Sequence, residues 1–171
     1  MQKFTRVSTA LAAIAAAIAL TAPAGAQLAG NTLATAADGK FAKAAIAAGN
    51  LEIDQAHAEL KSTTDASVKL YAKTVIHDHT LINAELAGTA KGAGFTIPSN
   101  LRTPGVSISY EDPTTYMKSE VAAHEQAIAI FEKDYQNGSR QFQAITGPAI
   151  QTLKKHLAMA QQYLKTGSIT Q

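Results

Sequence analysis

The stretch VKLYAKTVIHDHTLINAEL, residues 68–86, sets Val68, Ala72, Val75, Ile76, Ile82 and Leu86 on one face when wound at about 100° per residue. A half-buried strand would alternate every second residue, and this segment does not. It is an amphipathic helix, with one exception to its pattern: His79 and Asn83 lie inside the apolar stripe. Its neighbour His77 projects about 160° away, towards water, and Lys69 and Lys73 belong to the solvated face.

The same winding accounts for three more helices. Ala-rich sequence from Ala37 to Ser62, with Asp38 as its expected N-cap, precedes the capping cluster Ser62-Thr63-Thr64-Asp65. The second helix then spans Asp65 to Lys91 and stops at Gly92-Ala93-Gly94. Asp112-Pro113, a cap followed by a proline at the first helical position, opens the third, which ends at Asn137-Gly138. The fourth runs from Ser139 to Lys165 and stops at Gly167; Gly147-Pro148 inside it predicts a kink or a break into two segments. Between the second and third helices lies FTIPSNLRTPGVSISYEDP, a linker of about 20 residues, too long for a tight turn. At about 3.3 Å per residue it can run the length of a helix of about 25 residues, or serve as a flap over one end. A crossover of this kind separates ferritin-like bundles from up-and-down ones. Val106 to Tyr110 alternates like a short strand with nothing to pair with.

In each helix a polar residue stands where the stripe should be most apolar: Glu52, His79, His124 and His156. Around Glu52 the facing positions are small (Ala45, Ala48, Gly49, Ala56). Around His124 they include Met117, Val121, Ile128 and Phe131, and around His156 Ile145, Leu153 and Met159. At about 1.5 Å per residue all four fall within about 10 Å along the bundle axis. A buried carboxylate and three buried imidazoles need partners, and a cation would supply one. One glutamate and three histidines make a mixed N/O donor set suited to a single zinc, iron, copper or nickel ion. Glu120, one turn before His124, is the natural fifth ligand or orienting partner, and Asp78, at the edge of its stripe, an orienting one. The same four groups also fit a closed hydrogen-bond network that fixes helix register. His57 projects towards water, and Tyr71, Tyr116, Tyr135 and Tyr163 read as packing residues.

Ahead of the bundle, Lys3 and Arg6 precede an apolar run from Leu11 to Leu20, and Ala24-Gly25-Ala26 offers a cleavage site. Residues 1–26 therefore read as a signal peptide, 27–37 as a short tether and 38–166 as the bundle. The apolar run is shorter than the span of about 20 residues that a bilayer requires. Removing 26 of the 171 residues leaves 145 and takes away two of 15 basic residues and none of 13 acidic ones, so the net charge falls from +2 to zero. A neutral chain without a basic cluster argues against nucleic acid as a partner. With no cysteine, neither disulfides nor thiol chemistry is available. Paired Glu-x-x-His motifs are absent, which argues against ferroxidase or di-iron oxygenase chemistry, and so are His-Glu-x-x-His, Gly-x-Ser-x-Gly and phosphate-binding glycine loops.

FAKAAIAAGNLEIDQAHAEL, VKLYAKTVIHDHTLINAELAGTAKGAGFTIP, YMKSEVAAHEQAIAIFEKDYQNG and PAIQTLKKHLAMAQQYL together resemble a secreted bacterial family of unknown function often labelled as outer membrane proteins. The resemblance runs from Phe41 to Leu164 and is most specific at Asp78, His79, Thr80, Asn83, Glu85 and Leu86. It implies export and a ferritin-like bundle, and its recurring polar positions fall on Glu52, Asp78, His79, His124 and His156. It implies no activity. An integral outer-membrane position conflicts with a helical domain that has neither a second apolar segment nor barrel-like strands. The expected protein is periplasmic or loosely envelope-associated, with no membrane span in the mature chain. Three roles follow: a metal-binding protein without turnover, a metal-dependent enzyme with an open coordination position beside the 93–112 linker, or a structural module that meets a protein or envelope partner.

Overall fold

The computed structural model describes residues 33–103 and 109–170, which form an all-α four-helix bundle. Helices α1 (Ala36–Ser62), α2 (Ala66–Gly92), α3 (Pro113–Asn137) and α4 (Arg140–Thr166) match the periodic segments within a residue or two. Residues 1–26, read above as a signal peptide, most of the expected tether and Val106 to Ile108 of the strand-like segment lie outside the described residues.

The caps explain the helix ends. Asp65 accepts from the Ser67 and Val68 amides, Asp112 accepts from Thr115 ahead of Pro113, and Gly167 closes α4 in the left-handed conformation at φ 74°. One expected cap is different. Thr35, not Asp38, is the N-cap of α1, and Asp38 reaches back from the third helical position to the Thr35 amide, completing a capping box. Hence α1 begins inside the segment expected to be a tether. At the other end the bundle continues past residue 166, because Ile169 is buried and its amide donates to Ser67 Oγ at 2.9 Å.

Of the kink or break expected at Gly147-Pro148, the break does not occur: α4 is one helix through Pro148. The proline forfeits one backbone hydrogen bond, but Ala149, Ile150 and Leu153 just beyond it are buried in the core, and their burial offsets that loss.

Two hydrogen bonds fix the topology. Ser139, at the turn between α3 and α4, donates its amide to Asp38 at the start of α1 at 3.0 Å. Tyr163, near the end of α4, donates to Asp65 at the start of α2 at 2.9 Å. Thus α1 and α4 run one way and α2 and α3 the other, so the α2–α3 connection must traverse the whole bundle. It climbs along α1: Phe95 covers Gly39, Asn50 Nδ2 donates to the Leu101 carbonyl at 2.9 Å, and Arg102 pairs with Asp54 at 3.0 Å. The linker is a crossover, not a flap. The hairpins α1–α2 and α3–α4 are the most extensively packed pairs, and α1 against α3 is the loosest of the neighbouring ones.

The core is divided in two. One apolar cluster centres on Phe41, Leu86, Phe131, Phe142 and Leu153, and the other on Val68, Val75, Tyr71, Tyr116 and Met117. Glu52, His79, Glu120, His124 and His156, all buried, form the polar layer where the two meet. Among the described residues no helix is long and apolar enough to cross a membrane.

A pH effect arises at the Asp38 end. Burial, and then the charge of Asp38, push the Asp134 carboxyl up to about 7. A raised carboxyl favours the folded state below its unfolded pKa of about 4, and that contribution is lost as the pH rises through 7. Asp134→Asn is therefore expected to melt higher than the wild type at pH 8. It should also flatten the dependence of Tm on pH between about 4 and 7, as thermal melts across that range will show.

Candidate metal centre

Helix α1 brings Glu52 into the layer, where the neighbouring Gly49 and Ala56 leave it room. Helix α2 contributes His79 and Asp78, α3 Glu120 and His124, and α4 His156. The three imidazoles cluster closely. The His79 ring stacks on His156 with centroids 5.4 Å apart and meets His124 edge-on at 5.6 Å. One nitrogen from each of the three lies within 4.8 Å of the others, and Glu52, Glu120 and His124 form a second such group.

All four histidine and glutamate positions singled out from the stripes thus converge, but not as one four-membered set. His124 is shared by a three-histidine face and a face with two carboxyl groups. Glu120, expected as a supporting residue, stands level with Glu52. The exposed histidines are where their projection put them: His57 is exposed, and the His77 side chain is 72 % exposed.

The hydrogen bonds determine the tautomers. His124 Nδ1 lies 2.9 Å from the Glu120 carbonyl oxygen, which can only accept, so Nδ1 carries the proton. His156 Nε2 lies 2.9 Å from Asp78 Oδ2, again an acceptor, so Nε2 is the protonated nitrogen there. Asp78 therefore orients a histidine on another helix. The remaining nitrogens, His124 Nε2 and His156 Nδ1, face each other at 3.2 Å, and with both rings neutral each presents a lone pair to the other. His79 Nε2, also buried, finds no partner among the described residues.

Burial holds all three imidazoles below the usual histidine range. For His79, the neighbouring His124 and His156 add to it; for His156, Asp78 acts in the opposite sense. On the carboxyl side, burial and then the charge of Glu52 push Glu120 well above the usual range, towards its neutral form. Tyr71 donates to Glu120 Oε2 at 2.9 Å, while Glu120 Oε1 and Glu52 Oε2 have no hydrogen-bond partner within 3.5 Å among the described residues. Burial and then Glu120 raise Tyr71, which keeps its phenol protonated.

The part played by Tyr71 was not read from the sequence. It lies about 80° round from His79, just off the stripe, and only the length of its side chain carries the hydroxyl back to the polar layer. The chemistry open to the cluster is that of three neutral nitrogen donors beside a carboxyl pair, buried in the bundle core.

Residues 21–107 match the model of a family described as a domain of unknown function, DUF4142. That segment carries Glu52, Asp78 and His79, while Glu120, His124 and His156 lie beyond it. No curated protein and no solved structure matches the chain. With its matched segment covering more than half the chain, the protein belongs to the DUF4142 family.

Proposed function

We propose that this protein binds one transition-metal ion in its core, with His79, His124 and His156 as nitrogen ligands and Glu52 as the adjacent carboxylate. The observation that carries this is the pair of acceptor nitrogens, His124 Nε2 and His156 Nδ1, facing each other at 3.2 Å. Two lone pairs at that distance repel unless something positive lies between them, and burial works against a proton. A cation satisfies both, and the unpartnered His79 Nε2 as well. Asp78 on the far nitrogen of His156, and the Glu120 carbonyl on that of His124, are the kind of outer partners that orient metal-binding histidines. Three neutral imidazoles favour zinc, copper, nickel or ferrous iron over calcium or magnesium.

The basic Lys3 and Arg6, the apolar run Leu11–Leu20 and the small residues Ala24-Gly25-Ala26 support export, and we propose that the mature protein is a periplasmic metal-binding protein. Elemental analysis of protein purified from metal-replete medium is expected to return close to one equivalent of metal per chain. Added metal at about 100 times Kd should stabilise the metal-free protein by about 2.7 kcal/mol, read as a rise in Tm. No metal together with no rise would identify the layer as a closed polar network that only fixes helix register.

A further inference from the structure

Where α1 and α3 pack least closely, a cavity of about 50 Å³ leads to the inner layer. Ala48, Ala123 and Ala127 wall it, and Glu52, His79 and His124 close its inner end. The three alanines are half-buried, so the cavity reaches the surface between the two helices. Its inner end carries two polar atoms on side chains more than nine-tenths buried that find no hydrogen-bond partner among the described residues, Glu52 Oε2 and His79 Nε2. Neither Glu120 nor His156 lines it, so it addresses one side of the cluster only.

We infer that this cavity admits and holds a small uncharged molecule, of the size and polarity of dioxygen or nitric oxide, at an open position of the metal ion. The inference rests on the metal centre proposed above. Size comes first: the space takes a few water-sized molecules and excludes a sugar, an amino acid or a nucleotide. Charge comes second. Apolar walls make the passage costly for an ion, and Glu52, the one carboxyl group at the inner end, disfavours an anion further. Coordination comes third: three histidines fill three positions, and the side lined by His79 and His124 is the one that the cavity reaches.

Two probes test this. Xenon, applied under pressure to crystals of the metal-free protein, is expected to occupy the cavity against Ala48, Ala123 and Ala127. In cobalt(II)-loaded protein, nitric oxide is expected to shift the visible cobalt bands, and azide to do so at least tenfold more weakly. Ala48→Leu should abolish xenon binding and slow the response to nitric oxide at least tenfold, with the cobalt content unchanged. Ala127→Val, a smaller insertion, should act in the same direction should Ala48→Leu fail to fold. Ala129→Leu, on the exposed side of α3, should change nothing. Failure of cobalt to bind overturns the metal centre itself. Bound cobalt whose bands ignore nitric oxide, respond equally to azide or are indifferent to Ala48→Leu overturns the pocket alone.

Discussion

His124→Ala is expected to leave the protein without stoichiometric metal, the largest functional effect of any single substitution. His124 is the member common to both groups of donors, and its Nε2 is one of the two acceptors left facing each other. Its loss removes a direct donor, so the effect should exceed the 10–100-fold that loss of an orienting partner typically costs. Asp78→Ala provides that smaller comparison. It frees His156 Nε2 without touching a metal-facing nitrogen, and its partly exposed site tolerates the change. His77→Ala, one residue away but turned to solvent, should bind metal as the wild type does. Competition with a chromophoric chelator will rank the three. Equal affinities for His124→Ala and His77→Ala would remove the three-histidine face from consideration.

The largest stability effect is expected at Phe142→Ala, at about 3–5 kcal/mol. Phe142 is fully buried and packs edge-on against Phe41, with ring centroids 6.4 Å apart. Truncation leaves a void among Phe41, Phe131 and their neighbours, which the two flanking helices cannot both close. For a domain of this size the loss corresponds to a fall in Tm of about ten degrees or more. The cavity lies in the cluster on the Asp38 side of the polar layer, so the variant should still take up about one metal ion per chain below its lowered Tm. Thermal melts and elemental analysis on one preparation will separate the two effects.

The helices were legible because their apolar residues recur with the helical period and their ends carry Asp65, Asp112-Pro113 and Gly167. Length alone pointed to a crossover. The site residues were legible for the opposite reason: Glu52, His79, His124 and His156 break the pattern that surrounds them. What stayed hidden depends on relations between helices, which a projection of one helix does not contain. Nothing in α2 alone indicates that Asp78 meets His156 on α4, or that Glu120 shares a face with Glu52 on α1. Tyr71 packs in the core as expected, but the reach of its hydroxyl to Glu120 on α3 was not part of that reading. At Gly147-Pro148 the local rule gave way to the core packing just beyond it, and at Thr35 the capping box claimed a residue earlier than the first acidic one.

The crossover also orders events in time. The contacts within α1–α2 and within α3–α4 are close in sequence, so each hairpin can form quickly, before the chain has paid the entropy of closing the longer loop. Neither hairpin owns the three-histidine face: His79 belongs to the first, His124 and His156 to the second. The complete donor set therefore comes into being only when the hairpins dock with α1 and α4 running the same way. On the proposed reading, capture of an ion would be a late event in folding, and it would hold the two halves to a single register after each has formed on its own.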